Sequence, residues 1–192
     1  MITGEKTVLV PFDKHNWADM QRWLYDEDYK YFFKNIPELM TPEQLSMFPQ
    51  LMGMNILMIY EKGQYLGSKN LNFVPQPIGF VSWDNIRLLA KTCDFGIVVD
   101  KEFAGKGLST CSVMMLLNYL FNRLGFHKVI AATAEAADKT NEKVIANLGM
   151  TFEGINREHF FLDGKWHNEK RWSLLKDEFD LVYSNYIQKK GD

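Results

Sequence analysis

The fold is decided by residues 92–124, which read TCDFGIVVDKEFAGKGLSTCSVMMLLNYLFNRL. This stretch contains a β-branched run, then a turn with Gly105 and Gly107, then an apolar stripe at helical spacing from Val113 to Leu124. The first N–H groups of a helix lack intrahelical partners and carry the positive end of the helix dipole. Glycines let an anion approach those groups closely, so this strand, turn and helix predict a site for phosphate or pyrophosphate.

Two common phosphate-binding motifs do not fit this turn. A P-loop requires a lysine and then Ser or Thr directly after its last glycine, whereas Gly107 is followed by Leu108 and Ser109. A dinucleotide-binding turn requires a third glycine, and Thr110 stands at that position. By themselves the glycines would suit a plain strand-to-helix connector equally well, so the turn needs support from other residues.

The composition bounds the class of protein. A chain of 192 residues, 46% of them hydrophobic and 24% charged, suits a single folded domain over residues 1–192. The formal net charge of −2 gives no electrostatic reason to bind nucleic acid or an anionic membrane. The apolar stretch 113–121 is interrupted by Asn118 and is shorter than the roughly 20 residues of a membrane span. With no signal-peptide pattern and only Cys93 and Cys111, we expect a cytoplasmic protein with reduced thiols.

The remaining sequence alternates strand and helix patterns, which is typical of an α/β domain. The predicted strands cover residues 7–11, 56–60, 78–83, 92–99, 127–133, 157–162 and 165–175. Helices are predicted after an Asp13 N-cap, from Thr41, up to Gly125, over residues 139–148, and over a C-terminal extension of about 177–190 capped by Asp177. Asp163 and Gly164 indicate a type I′ hairpin, and residues 63–77 are predicted to form a loop.

The glycine turn resembles the signature of the GNAT superfamily of N-acetyltransferases. That signature reads Gln/Arg-x-x-Gly-x-Gly/Ala after the fourth strand, and residues 102–107 of this chain read EFAGKG. Both glycines match, and Glu102 stands where the family has Gln or Arg. Because backbone amides do most of the holding in the family, the resemblance implies that this turn binds the pyrophosphate of coenzyme A.

A second resemblance lies downstream, to the ribosomal-protein N-terminal acetyltransferase branch of the family. Residues 148–150 and 153–154 match the branch's Leu-Gly-Phe and Glu-Gly, and this alignment places Asp138, Asn141 and Val144 at its Asn, Ser and Val positions. Residues 157–166 and 174–175 also look like the branch. The resemblance covers about residues 78–178, and the N-terminal third only by its order of elements.

The resemblance implies a mixed, mostly antiparallel central sheet with splayed central strands, flanked by helices. The co-substrate is then acetyl-coenzyme A, and no metal is required. Its pantetheine arm pairs with the β-branched strand end, where an N–H near Val98 polarises the thioester carbonyl, an effect of roughly 10²–10³-fold for one such donor elsewhere. The implied cofactor-binding residues are Ile97, Val98, Val99, Ala104, Gly105, Lys106, Gly107, Leu108, Ser109, Asp138 and Asn141.

The acceptor amine must be neutral to attack, so a base is expected. Asp94 is the first candidate, since it lies on the strand that enters the site, where family members often have Glu; otherwise it is a solvated strand residue. Glu158, near the hairpin rim, is the next candidate, while His159 and His167 are interpreted as ordinary strand histidines. The tyrosine that many family members place near the departing thiol is replaced by Ile145 here, and Asn141 is the residue expected to hydrogen-bond there instead. Asp138 is expected either to bind the pantetheine arm or to be a helix N-cap.

The predicted activity is acetyl transfer to a primary amine of a protein, N-terminal or side-chain, by direct attack in a ternary complex. A small-molecule amine or amino sugar is the alternative acceptor, and a non-catalytic acetyl-coenzyme A sensor is the alternative class. Cys111 is interpreted as a buried thiol because no histidine partner is apparent. We expect a monomer or homodimer, in which the C-terminal helix packs on the core or forms a dimer contact.

Overall fold

A computed structural model describes residues 1–34, 44, 47, 49–50, 53–67, 74–137 and 140–188, except for the side chains of residues 140 and 141. The strands are β1 (Ile2–Thr3), β2 (Thr7–Pro11), β3 (Asn55–Glu61), β4 (Gly79–Arg87), β5 (Thr92–Val99), β6 (Lys128–Ala134), β7 (Thr151–Leu162) and β8 (Lys165–Leu175). The helices are α1 (Trp17–Leu24), α2 (Lys62–Gly67), α3 (Leu108–Asn122), α4 (Thr140–Asn147) and α5 (Lys176–Gln188).

The strands form one open, mixed sheet in the order β1-β2-β3-β4-β5-β6-β8-β7. Strands β1 to β4 pair antiparallel, β5 and β6 pair parallel, and β8 pairs antiparallel with both β6 and β7. The predicted α/β sheet is therefore confirmed. The chain divides into two compact units, one of residues 1–84 and 96–115 and the other of residues 85–95 and 116–192.

The first unit is built around an aromatic and aliphatic cluster under β3 and β4. Its fully buried members include Met58 and Phe80, and Trp23 of α1 packs against Phe80 with ring centroids 5.6 Å apart. The Asp13 side chain accepts a hydrogen bond from the His15 N–H at 3.0 Å. The predicted N-cap is thus correct, although a 3₁₀ turn over Lys14–Asn16 separates it from α1.

In the second unit, β6 lies between β5 and β8. The parallel ladder with β5 comprises three residue pairs, from Thr92 with Lys128 to Asp94 with Ile130. The predicted separation of β5 from β6 beyond this ladder stays a prediction. The β7–β8 hairpin turns through Asp163 with a φ of 51°, followed by a glycine, as the type I′ prediction requires.

The C-terminal helix α5 packs on the core of the second unit at its first turns. Phe179 is fully buried, and its ring stacks on Phe121 of α3 at a centroid distance of 4.9 Å. Farther along, Leu181 and Ile187 are exposed. The first turns of α5 therefore pack on the core, which is one of the two roles expected for this helix.

Three sequence-based assignments were wrong at element ends. The predicted loop of residues 63–77 overlaps the short helix α2 (Lys62–Gly67). There the ring of Tyr65 packs on that of Tyr60, with centroids 4.9 Å apart, and this contact offsets the poor helix propensity of glycine. Helix α5 begins at Lys176, and the Glu178 carboxylate accepts the Leu175 N–H, so Asp177 is not the cap. Strand β7 starts six residues earlier than predicted, because register shifts within it break the alternation of apolar and polar residues.

One predicted helix cannot be compared with the structure, since its start at Thr41 lies outside the described residues. Cys93 and Cys111 are buried and form no disulfide within the described residues, and Cys111 is a buried thiol as predicted. Among the described residues, no helix combines the length and the hydropathy that crossing a membrane requires.

The buried aromatic contact of α5 gives a stability prediction. Phe179→Ala should lower the free energy of unfolding by about 3–5 kcal/mol, because it removes a fully buried ring and leaves a cavity against Phe121. Thermal and urea unfolding followed by circular dichroism would measure this. Leu181→Ala, on the same helix but 71% exposed, is the matched control and should change stability by less than about 0.5 kcal/mol. Equal effects of the two variants would contradict the packing of α5.

Candidate active site

The glycine turn joins β5 to α3 in the first unit. Asp100 caps a 3₁₀ turn over Lys101–Phe103, with its carboxylate accepting the Glu102 N–H at 3.3 Å. Gly105 and Gly107 then take φ values of 76° and 74°. Only glycine adopts this left-handed conformation without steric cost, so the two glycines decide the path of the chain into α3.

The turn leaves a row of backbone donors available. Within the described residues, the N–H groups from Gly105 to Thr110 donate no hydrogen bond, and the next one, of Cys111, donates to the Gly107 carbonyl at 3.1 Å. These six consecutive donors lie at the positive end of a 15-residue helix. The N–H of Ala104, before them, donates to the Lys101 carbonyl at 3.1 Å, and the predicted role of Ala104 in binding the cofactor stays a prediction. The geometry suits a bound anion.

A lysine that the sequence analysis missed lies beside these donors. Lys6 places its Nζ 3.1 Å from the Lys106 carbonyl, and a Cβ added at Gly107 would lie 3.3 Å from the same Nζ. Lys6 is 100 residues away along the chain and belongs to no motif, so only the folded chain brings it to the turn. Its charge favours the same anion as the amides do.

The foot of the turn is held by polar contacts with residues of the N-terminal part of the chain. Asp100 pairs with Arg22 of α1 at 3.1 Å, and its N–H donates to the Ile78 carbonyl at 2.8 Å. The Tyr29 hydroxyl accepts the Lys101 N–H at 3.0 Å. Burial raises the pKa of Tyr29 above its usual value, so the hydroxyl remains protonated and neutral at physiological pH.

The end of β5 approaches β4 very closely. A Cβ added at Gly79 would lie 2.1 Å from the Val98 carbonyl oxygen, so only glycine fits there. Val98 itself is 3% exposed, while Ile97 and Val99 are half-buried. The backbone of Val98 and Val99, two of the three residues predicted to receive the pantetheine arm, therefore lies in close contact with β4.

In the second unit, charged side chains form a continuous network. Asp94 on β5 binds two guanidinium groups, Arg87 Nη1 at 3.2 Å and Arg171 Nη2 at 3.0 Å. Arg171 also binds Glu169 at 3.2 Å, and Glu169 lies 3.5 Å from His159 Nε2. Asp94 and Glu169 have only 13% and 3% of their side chains exposed. The network thus pairs each buried charge, as buried charges require.

Arg171 holds the centre of this network. Burial acts to lower its pKa, but the charges of Asp94 and Glu169 and the hydrogen bonds to them act in the opposite sense and raise it overall. The guanidinium therefore stays charged at every accessible pH. Asp94 and Glu169 therefore both lie beside a permanent positive charge.

Glu169 and Arg171 lie on a polar face of the sheet. In register with them on β6 are the small residues Ala134 and Ala132, of which Ala132 is exposed. Lys170, between them on β8, points to the other face and pairs with Glu142 of α4 at 2.6 Å.

A β-bulge in β7 borders this face. Asn156 pairs with Glu169 and Phe160 with His167, so residues 157–159 stand opposite Asn168 alone. The Asn168 side chain fills the bulge by accepting the Glu158 N–H at 2.8 Å and donating to a Glu135 oxygen at 2.8 Å. The bulge opens a cavity of about 810 Å³ lined by Ile155, Asn156, Arg157, Glu158, His159 and Asn168.

The predicted catalytic residues have different settings. Asp94 belongs to the charge network, and Glu158 is an exposed residue of the bulge with a φ of 48°. Asn141 lies in α4, but its side chain is outside the described residues, as is Asp138. Ile145, at the family's tyrosine position, is buried in the core.

Sequence reasoning missed Arg171 and Glu169. The sequence feature that could have revealed them is the run of three charged residues, 169–171, in the middle of a predicted strand. A pattern of alternation alone predicts that such charged side chains face solvent. His167 is an ordinary strand histidine as predicted, since it stacks on Phe160 and its Nε2 lies 3.2 Å from the Leu162 carbonyl. Among the described residues, no group of three or more His, Cys, Asp or Glu side chains is arranged to hold a metal ion.

The glycine turn gives a binding prediction. Gly107→Leu should weaken coenzyme A binding at least tenfold, because a side chain at this φ of 74° is strained and would occupy the anion's approach to the amides. Isothermal titration calorimetry with coenzyme A would measure it. Gly125→Leu is the matched control, since Gly125 has a φ of 71° with open space around it but lies outside the turn. Unchanged affinity in Gly107→Leu would remove the pyrophosphate from this turn.

The charge network gives a stability prediction. Asp94→Asn should lower the free energy of unfolding by about 1–3 kcal/mol, because two guanidinium groups lose a mostly buried anion. Asp180→Asn removes a carboxylate from the exposed Lys176–Asp180 pair of α5 and should cost under about 1 kcal/mol. Thermal unfolding at neutral pH compares the two variants. If both had the same small effect, Asp94 would not be a structural centre of the network.

Comparisons with known proteins agree with the geometry. The family model of the acetyltransferase (GNAT) domain matches residues 6–151. YdaF of Bacillus subtilis, named as a candidate ribosomal N-acetyltransferase, is 24% identical over 165 residues, which are 86% of this chain and 82% of YdaF. The spermidine N(1)-acetyltransferase of Escherichia coli K12 is 29% identical over 104 residues, which are 53% of this chain and 54% of that enzyme.

Solved structures share the fold. A spermidine N-acetyltransferase from Vibrio cholerae in complex with CoA and spermine has a TM-score of 0.75 at 17% identity, covering 91% of this chain and 98% of that one. A crystal structure described only as an acetyltransferase candidate has a TM-score of 0.75 at 21% identity, covering 95% of this chain and 89% of the other. Since the family match spans well over half of its length, the chain belongs to the GNAT acetyltransferases, enzymes that use acetyl-coenzyme A as their co-substrate.

Proposed function

We propose that this acetyltransferase modifies a primary amine of a protein, either an N-terminal or a side-chain amine, by direct attack on acetyl-coenzyme A. The observation that carries the choice of acceptor is the form of the cavity at the β7 bulge. It is open and lined largely by residues of one strand, 155–159, with Asn168 opposite. Such a surface accepts an extended peptide more readily than it encloses a metabolite.

The glycine turn is the proposed holder of the co-substrate. The N–H groups of Gly105 to Ser109 donate to the pyrophosphate, and Lys6 adds a positive charge beside them. The pantetheine arm pairs with the backbone of residues 97–99. Support comes from the six unused donors and from the fixed position of the strand end against Gly79.

The chemistry proposed is attack by a neutral amine on the thioester. The amine nitrogen bonds to the carbonyl carbon, and the N–H near Val98 stabilises the oxygen as it gains negative charge. The C–S bond then breaks, and the proton of the new ammonium group passes to the sulfur through water. Asn141 hydrogen-bonds the thiol but does not supply the proton, because an amide is not an acid near neutral pH.

Asp94 acts in this proposal by positioning Arg171 rather than by accepting a proton. Its carboxylate is shared by two guanidinium groups and also accepts from the Asn85 side chain at 3.4 Å. A carboxylate held by three donors is fixed in place, which suits a positioning role. Glu158 stands at the exposed rim, where it can attract a cationic acceptor.

A small polyamine is the second candidate acceptor. It is favoured by the similarity to spermidine N-acetyltransferases, one of which is 29% identical over about half of this chain. The described acidic residues near α1 support it less, since Asp28 binds Lys101 at 2.6 Å and Glu27 binds Lys30 at 3.0 Å. Those carboxylates are engaged within the chain.

Thiol release from acetyl-coenzyme A over a panel of amines tests the proposal. The panel holds peptides with a free N-terminus, the same peptides with a blocked N-terminus and a lysine, spermidine, and glucosamine. We expect the free peptides to have the highest kcat/KM, and mass spectrometry should find one added acetyl group. Higher kcat/KM for spermidine would overturn the peptide assignment, and tight coenzyme A binding without release for any amine would favour the sensor.

A further inference from the structure

We propose that Phe32 limits the acyl group of the co-substrate to acetyl, by closing the space beside Gly96 of β5. This inference rests on the proposed function, from which it takes the placement of coenzyme A, and it adds a residue that selects the acyl donor. The carrying observation is a contact within the first unit. A Cβ added at Gly96 would lie 2.5 Å from Cε2 and 2.9 Å from Cζ of the Phe32 ring.

The ring, and not the backbone conformation, requires a glycine at position 96. The φ of Gly96 lies outside the left-handed range that favours glycine, and a glycine inside a strand costs stability relative to a residue with a side chain. The ring of Phe32 takes the space where that side chain would be, and the Oγ of the buried Ser82 would lie 3.3 Å from the same Cβ. Phe32 therefore lies directly on the backbone of β5, the kind of close approach that an interior strand glycine marks.

Two other aromatic rings hold Phe32 in this position. The centroid of its ring lies 5.3 Å from that of Phe80 on β4, with the planes at 84°, and 5.0 Å from that of Phe33, with the planes at 73°. Both are edge-to-face arrangements, which are favourable for aromatic pairs. Phe80 and Phe33 are buried, whereas Phe32 is half-buried. The core thus fixes the Phe32 ring, while part of its surface stays available for contact with a ligand.

The backbone that carries Phe32 is tied to the carboxyl end of β5. The Phe32 N–H donates to the Tyr29 carbonyl at 2.9 Å. The Tyr29 hydroxyl accepts the Lys101 N–H at 3.0 Å and donates to the Val99 carbonyl at 3.5 Å. The ring therefore keeps a fixed distance from the strand end on which the pantetheine arm is proposed to lie.

The direction of the co-substrate along β5 follows from the two ends of its proposed site. The pyrophosphate binds at the glycine turn, after the carboxyl end of β5, and the pantetheine arm pairs with residues 97–99. The acyl end must therefore point back along the strand, to the level of Gly96. Two residues farther on, Asp94 pairs with Ile130 in the ladder between β5 and β6, so β6 already occupies that edge of β5.

Acetyl is the acyl group that this arrangement favours. A methyl group needs little room, whereas every added methylene must fit between the β5 backbone, the Phe32 ring and the start of the β5–β6 ladder. One methylene in an apolar site changes kcat/KM by about 10- to 200-fold. Because the ring is held by its aromatic neighbours, the site cannot enlarge to receive a longer chain.

The test measures kcat/KM for acetyl-, propionyl- and butyryl-coenzyme A in the wild type, Phe32→Leu and Phe33→Leu. The acceptor is the amine of the panel that gives the fastest thiol release. We expect the wild type to prefer acetyl over butyryl by at least about 100-fold, since butyryl has two more methylenes. Phe32→Leu should reduce this preference at least about tenfold, because leucine reaches less far than a phenyl ring. Phe33→Leu, which alters a ring of the same cluster farther from Gly96, should keep the wild-type preference.

A stability measurement tests the contact without an assay of activity. Gly96→Ala should lower the Tm, because the added methyl group would lie 2.5 Å from the Phe32 ring. In a Phe32→Ala background the same substitution should lower the Tm much less, since the ring is then absent. An equal loss of Tm in the two backgrounds would show that Phe32 does not cover Gly96 and would overturn the inference.

The outcomes distinguish this inference from the proposed function. An active Phe32→Leu with the wild-type preference, or an equal relaxation in Phe33→Leu, overturns this inference alone, as does a wild type that uses all three acyl donors equally well. With spermidine as the best acceptor, the peptide assignment fails, and a preference for acetyl that relaxes in Phe32→Leu still supports this inference. A wild type that releases no thiol with any amine overturns both. If Phe32→Leu does not fold, by circular dichroism, Phe32→Met replaces it.

Discussion

The first N–H groups of α3 are the constraint on which the site depends. A helix cannot satisfy these donors by itself, and here Gly105 and Gly107 carry the chain into the helix without covering them. The row of donors is preserved because other contacts hold the foot of the turn: Asp100 on Arg22 and the Tyr29 hydroxyl on the Lys101 N–H. The proposed anion site is thus a property of backbone geometry, so we expect it to tolerate Glu102 where the family has Gln or Arg.

In the second unit, the arrangement of side chains depends on the free-energy cost of burying charged groups. Asp94 and Glu169 are carboxylates with little exposed side chain, and both are tied to Arg171. Removing such groups from water is unfavourable unless they are paired, so the network fixes three strands at one polar face.

Irregular backbone does the positioning that regular strands cannot. The β7 bulge places three residues opposite one and gives Glu158 a left-handed conformation, which opens the cavity beside the network. An uninterrupted ladder would alternate side chains strictly and close this space. A prediction based on alternation misses the start of β7 for the same reason, because register shifts in β7 disturb the alternation of apolar and polar residues.

The sequence by itself determined the elements whose signals are local. The strand, glycine turn and helix of residues 92–124 and the Asp163–Gly164 hairpin follow from periodicity and from backbone preferences of neighbouring residues. The mixed sheet was implied by the resemblance to the family, since periodicity alone does not give strand order or direction. Tertiary structure alone decided that Lys6 meets the turn and that Asp94, Arg171, Glu169 and His159 form one network. These contacts join residues up to 100 positions apart, and their partners are chosen by strand register and burial, which no local pattern encodes.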